Sequence, residues 1–388
     1  MHVLMISLDY SLLGDPHGNT VARHLEYARR IGTLTIVTYN PASQPKAPQQ
    51  FADNLAVYPT NTRPALFPWA AYRLAARLHR QRPADLVTTQ DPFACGLVGL
   101  LLKWRCGLPL NVQSHSHFFE NPYWLAERPL RNRLLYALAR FIVPRADTVR
   151  VLSEREKAIS MRHGVAPERV FVLTVPTPVA AFAQPVGEAR LAKLRAALGL
   201  PPDAPVLLWV GFPAAFKHIE LLLAAYRLVR AQRPAARLVL AGDFRARPDF
   251  VRQAQDAGAI FAGRVDHADL PAYYQLASVY VHSSRYEGVA RVLIEALASG
   301  TPVVSTDHLG AAEVVRHGES GLLTEHTPEA LAGAIIALLD DPERARAMGA
   351  AGQRDVLARF DYERGLDAIA ETYRATLRLA GRGIQEAS

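Results

Sequence analysis

Two carboxylates dominate the chemistry this sequence can offer. Glu287 and Glu295 lie in the stretch 283–300, SSRYEGVARVLIEALASG, with seven residues between them. Gly288 follows the first, and an apolar helical run over 289–297 carries the second. The apolar segment 279–281 just ahead reads as a buried strand. The predicted unit is strand, turn, helix, with one carboxylate at the turn and one inside the helix. The first amides of such a helix lack partners, and with the helix dipole they form a site for a phosphate. A carboxylate beside them repels phosphate, so its use is to accept hydrogen bonds from hydroxyls. Phosphate and hydroxyls recognised at one turn point to a sugar nucleotide. The plainer reading is that a Glu in a first turn is a dipole partner and a mid-helix Glu is solvated. Against it, the neighbours Leu293, Ile294, Ala296 and Leu297 leave the helix of Glu295 buried nearly all round, and a buried carboxylate needs partners.

Four other loops leave strands with residues of chemical interest. The loop 10–19 holds Gly14 and Gly18, suited to close backbone approach of a ligand, with Arg23 and His24 one turn into the next helix. Asp91 follows a strand in QDPF, where it either lines a site or forms a turn before Pro92. His115 and His117 alternate with serines in QSHSHFFENPYW. No third ligand stands nearby, so no metal is expected. Gly211 ends a strand and Lys217 precedes a helix in LWVGFPAAFKHIE.

The elements that must position these residues alternate throughout. Strands are expected at 3–8, 33–38, 85–89, 110–113, 148–152 and 170–173, with helices over 20–30 and 69–80 between them. The segment 175–186, VPTPVAAFAQPV, has three prolines and no period, and reads as a hinge. Strands resume at 206–210, 237–241, 260–261, 279–281, 303–305 and 322–323, and a final helix covers 362–379. Alternation of this kind predicts an α/β fold of two doubly wound, Rossmann-like domains with ligands at the C-terminal strand ends. The first loop does not match G-x-G-x-x-G, which disfavours a nicotinamide dehydrogenase.

The stretch 283–300, continuing as TPVVSTDHLGAAEVVRHGESGLL with Glu313 and Gly321, resembles the E-x7-E signature of family 4 retaining glycosyltransferases. The resemblance implies the GT-B fold, two domains facing across a cleft, with a last helix that crosses back. It divides the chain into an acceptor-side domain 1–178, a donor domain 179–362 and a crossing helix 363–388. It implies that Glu295 holds ribose hydroxyls and Glu287 the hydroxyls of the transferred sugar. Lys217, beside Gly211, would hold the donor diphosphate with Gly288 and the amides of Val289, Ala290 and Arg291. His115 resembles the family's active-site histidine. Gly14 and Gly18 would border the donor phosphate, and Asp91, His117 and Arg23 the acceptor. Gly263, Arg264 and Val265 would neighbour the base. The family commonly has an arginine after the glycine at 211, where this chain has Phe212. Arg264, Arg285 and Arg291 are the residues that could supply that charge. No cofactor or metal is implied. The leaving phosphate would take the acceptor proton on the same face, giving retention. A sugar-nucleotide epimerase of the same fold and a non-catalytic binding subunit are the alternatives.

Length and composition fit this reading. The chain has 388 residues, half of them hydrophobic, enough for two cores. Cys95 and Cys106 offer no metal spacing and read as core fillers in a reducing compartment. No apolar run approaches a membrane span, and MHVLMISLDY is a strand rather than a signal peptide, so a cytoplasmic protein is expected. Residues 1–180 hold 21 Lys and Arg against 12 Asp and Glu, net +9, while 181–388 hold 23 against 24, net −1. No nucleic-acid module accompanies that charge. The expected partners are a nucleotide sugar, a glycan or lipid-linked acceptor, and an anionic membrane surface on which Arg-rich helices at 69–80 and 130–141 would lie.

Overall fold

The structure is a computed structural model that describes residues 1–14 and 19–382. It divides into two compact units, one of residues 1–174 with the helix from Glu363 onward, the other Val175–Tyr362.

The first unit runs β1 (His2–Ser7), α1 (Asn19–Ile31), β2 (Thr33–Thr38), β3 (Gln49–Ala52), β4 (Leu55–Pro59), α2 (Phe67–Gln81), β5 (Leu86–Thr89), α3 (Ala94–Cys106), β6 (Leu110–Gln113), α4 (Pro122–Glu127), α5 (Pro129–Ile142), β7 (Thr148–Val151), α6 (Glu154–Arg162) and β8 (Val170–Val172). Its sheet has the order β3-β4-β2-β1-β5-β6-β7-β8, parallel except for the β3–β4 pair. The pair β3–β4 is absent from the sequence expectation. β3 has no buried residue and β4 alternates buried and half-buried, so the pair lacks the continuous apolar run of a strand covered on both faces.

The second unit runs α7 (Val179–Phe182), α8 (Glu188–Ala197), β9 (Val206–Val210), α9 (Ile219–Gln232), β10 (Arg237–Ala241), α10 (Pro248–Asp256), β11 (Ile260–Gly263), α11 (Leu270–Leu276), β12 (Val279–His282), α12 (Arg291–Ala298), β13 (Val303–Thr306), α13 (Leu309–Ala312), β14 (Gly321–Thr324), α14 (Pro328–Asp340) and α15 (Pro342–Arg359). The six strands are parallel in the order β11-β10-β9-β12-β13-β14. Leu207 and Trp209 of β9 pack into the core on one face, Val206, Leu208 and Val210 into the core on the other. That two-sided burial is why VLLWV carries no polar residue. The last helix, α16 (Tyr362–Leu379), hydrogen-bonds into the first sheet, with Thr376 Oγ1 2.6 Å from Thr148 Oγ1 and the Tyr373 hydroxyl 3.2 Å from Gln113 Nε2.

Strand order in the second unit reverses between β9 and β12: successive strands step outward from β9 to β11, then return to start again at β12. In open α/β sheets the crevice at the carboxyl ends beside such a reversal is where ligands bind. Gly211 follows β9 and the Glu287 turn follows β12, so both segments stand at that point.

Candidate active site

The loop after β9 brings Lys217 to the end of a short 3₁₀ turn, Ala215–Lys217, and buries it. Its Nζ donates to Glu287 Oε1 at 2.6 Å. Ser284 Oγ donates to the same oxygen at 2.7 Å, and His282 Nε2 lies 3.1 Å from it. The two segments are also tied through backbone, since Ser283 Oγ donates to the Lys217 carbonyl at 2.7 Å. All three contacts gather on Oε1. Burial alone would raise the Glu287 carboxyl, but Lys217 and His282 outweigh it and hold the group well below the usual carboxylate range. Gly310 keeps the turn tight: a Cβ there would stand 2.7 Å from the carbonyl oxygens of Glu287 and Gly288. His308, the N-cap of α13, packs its ring 5.4 Å from that of His282.

Helix α12 starts at Arg291, two residues later than the run of apolar residues suggested, because Ala290 is an extended N-cap. Glu287 therefore stands ahead of the helix rather than in its first turn. The helix turns Glu295 inward, where it is 3% exposed. Tyr274 donates to Oε2 at 3.1 Å, while His267 Nε2 and Arg291 Nη2 lie 3.0 and 3.4 Å from Oε1. A carboxylate so buried is stable only with such partners.

Phe212 is exposed and meets Phe216 edge-on. Of the three arginines considered as replacements for a cation there, Arg291 is paired with Glu295. Arg264 lines a cavity of about 730 Å³ with Phe244, Phe261 and Gly263. Arg285 is the one attached to the Lys217 loop: its amide donates to the Phe216 carbonyl at 2.7 Å, and its Nη2 lies 3.1 Å from His218 Nε2. If Arg285 supplies the missing charge, Arg285→Gln should raise the KM for a diphosphate-bearing donor about tenfold, the loss of one partly solvated charge-assisted hydrogen bond. An unchanged KM in steady-state kinetics removes Arg285 from the site.

The first unit sorts its predicted residues differently. His115 and Arg23 come together with His24 and the buried Arg150. Burial first, then Arg150, Arg23 and His24, push the His115 imidazole down to about 3. His117 lines a small cavity with Phe118, Phe119 and Ser160. Asp91 accepts from the amides of Phe93 and Cys95 at 2.7 and 3.2 Å, so its carboxylate shapes the entry to α3. Gly14 closes the 3₁₀ turn Tyr10–Leu13, and Gly18 lies outside the described residues. Arg150, inside β7, was missed by the sequence reading: it donates to Gln113 Oε1 at 2.9 Å and to the carbonyls of Leu173 and Thr174. Its only signal was a charge in an otherwise apolar strand.

Burial, then Arg23, lowers His24 to about 4. His24 and His115 are neutral when folded and titrate near 6.5 when unfolded. The stability they contribute is therefore complete above about pH 6.5 and is lost as pH falls toward their folded values. His24 alone accounts for at most about 3 kcal/mol of that loss. Calorimetry between pH 6.5 and 4.5 should show a falling melting temperature, with a shallower slope for His24→Gln; equal slopes would contradict the assignment.

Comparison with known proteins places these features. The family described as "Glycosyl transferases group 1" matches residues 192–355, and the "Glycosyl transferase 4-like domain" matches residues 20–176. A D-inositol 3-phosphate glycosyltransferase of Thermobispora bispora is 32% identical over 306 residues, 74% of this chain and 70% of that protein. An alpha-D-kanosaminyltransferase of Streptomyces kanamyceticus is 32% identical over 284 residues, 71% of this chain and 72% of that one. The structure of a sucrose-phosphate synthase from Thermosynechococcus elongatus superposes with a TM-score of 0.82 at 25% identity, over 97% of this chain and 100% of that one. These relatives support sugar transfer and not the epimerase alternative. With the E-x7-E carboxylates set at the strand reversal of a doubly wound unit, the chain belongs to family 4 of the glycosyltransferases and has their GT-B fold.

Proposed function

We propose that this glycosyltransferase takes its sugar from a nucleoside diphosphate donor held in the second unit, without a metal ion, and transfers it with retention to a glycan or lipid-linked acceptor in the assembly of cell-surface polysaccharide or glycolipid. The observation that carries the reading is the joining of the Lys217 loop to the Glu287 turn at the β9–β12 reversal. When donor binds, Lys217 turns part of its charge to the diphosphate. The amides of Val289, Ala290 and Arg291 at the start of α12 face the same oxygens, and Gly288 lets the chain pass close to them. Glu287 Oε2 accepts from hydroxyls of the transferred sugar, and Glu295 accepts from the ribose. In the reaction the bond from C1 to the diphosphate oxygen breaks and a bond from C1 to the acceptor oxygen forms on the same face. The acceptor proton passes to the departing phosphate oxygen, whose growing charge the fixed cations and amides stabilise. His115 is the proposed active-site histidine of the first unit, and Arg23, Asp91 and His117 are its proposed acceptor-side groups.

Among the described residues, no group of three or more His, Cys, Asp or Glu is placed to hold a metal ion. A thermal-shift screen of nucleotide sugars in EDTA tests the proposal, because a bound ligand raises stability by mass action. The expected result is a rise in melting temperature with one donor class and turnover that survives EDTA. Activity lost in EDTA and restored by Mg²⁺ or Mn²⁺ would show the phosphate site is misassigned. No helix among the described residues is long and apolar enough to cross a membrane. The excess positive charge of residues 1–180 supports an enzyme that reaches its acceptor by docking on an anionic membrane face.

A further inference from the structure

The docking reading leaves open which surface would carry it, and the two Arg-rich helices differ sharply once folded. On α2, Arg73, Arg77 and Arg80 are exposed, but Phe67, Ala71, Ala75 and Ala76 are buried, and the outer face offers mainly Trp69, stacked on Tyr72. Helix α5 has two apolar faces. Ala139 and Ile142 face inward and are buried with Asn132. Leu130, Leu134, Ala137 and Phe141 follow one another at steps of four, three and four residues, which is one side of a helix, and all four are exposed. Leu130 is 83% and Leu134 74% exposed, values at which a leucine has almost no packing in its own unit.

The stripe continues beyond the helix. Trp104, 55% exposed on α3, meets Phe141 edge-on at 6.2 Å. Arg145 lies over the other part of the Phe141 ring, 3.9 Å from its centroid. Exposed Arg133 and Arg140 flank the stripe along α5. An outward apolar band edged by arginines matches the layering of a bilayer surface, with hydrocarbon below and anionic headgroups at the rim. A protein partner would require a complementary acidic rim; an anionic bilayer supplies that charge without one.

We propose that the α5 stripe, Leu130, Leu134, Ala137 and Phe141 with Trp104 beside it, is the face that seats this enzyme on an anionic lipid bilayer. This rests on the reading of the chain as a transferase with a lipid-linked acceptor that docks on an anionic membrane, and adds to it the surface. The test is flotation of the full chain with vesicles of phosphatidylcholine alone and of phosphatidylcholine with phosphatidylglycerol, alongside donor binding measured in solution. Binding is expected only to the anionic vesicles, weakening as salt rises. Leu130→Ser with Leu134→Ser should reduce partitioning at least about tenfold, because affinity follows the apolar area inserted. Arg133→Gln with Arg140→Gln should weaken it and flatten the salt dependence. All four positions are exposed, so melting temperature and donor affinity should not move. Absence of binding to anionic vesicles at low salt, or flotation unchanged by the leucine pair, overturns the proposal; so does a dimer in solution that the leucine pair dissociates. Each of these can occur with donor binding intact, which separates failure of the docking face from failure of the transferase assignment.

Discussion

Lys217→Met is expected to lower kcat by about 10²–10³-fold, the usual cost of removing one fixed charge-stabilising group from a transfer site. The same change should destabilise the chain, because Glu287, only 14% exposed, would keep its charge with its nearest cation gone. Breaking a buried pair in this way costs about 3–5 kcal/mol. The two effects can be separated. In Lys217→Met with Glu287→Gln no uncompensated charge remains, so calorimetry should recover much of the lost melting temperature while turnover stays low. If the double variant recovers turnover together with stability, the pair is structural and the diphosphate is held elsewhere.

Glu295→Ala is expected to weaken binding of a nucleoside diphosphate by about 2–4 kcal/mol, or roughly 30- to 1000-fold, since two hydroxyls would be left unpaired in a closed site. The structure adds a second consequence. Tyr274 is fully buried and donates to Glu295 Oε2, so the alanine variant also strands a buried hydroxyl, at about 1–3 kcal/mol of stability. Glu295→Gln keeps an acceptor for Tyr274 and should melt nearer the parent while still binding nucleotide poorly, because the neutral amide is a weaker partner for two hydroxyls. Titration calorimetry on both variants decides. Unchanged affinity in a folded Glu295→Ala would remove the residue from the ribose site.

The parallel strands were legible because strands covered on both faces are written as unbroken apolar runs, as in VLLWV of β9. The β3–β4 pair was not, since β3 is a half-exposed QQFA and the alternation of β4 is too short to stand out from loop. The two glutamates were visible through their spacing, but their environment was not. Lys217 is 70 residues from Glu287 and Tyr274 is 21 from Glu295, and only the strand order joins them. His282 left a trace, a polar residue closing an apolar strand directly ahead of the Glu287 turn. His308 and Gly310 left none, because their importance lies in how closely α13 packs under that turn. His115 and His117 alternate with the same serines, and only the family resemblance told them apart in sequence. Their rings meet different neighbours, one set at Arg150 and Arg23 and the other in the small cavity beside Phe119. The two Arg-rich helices also looked equivalent, and only the burial of each side chain shows that α5 has a second, outward apolar face.

The most direct test of donor recognition by the second unit is hydrogen exchange on the full chain in EDTA, with and without the nucleotide sugar that most raises its melting temperature. Donor should slow exchange in the loop 211–218 and at the start of α12, residues 289–293, where the amides would meet phosphate oxygens. Tight binding with protection confined to the first unit, or with those two segments unchanged, would contradict the assignment of Lys217, Glu287 and Glu295 to the donor.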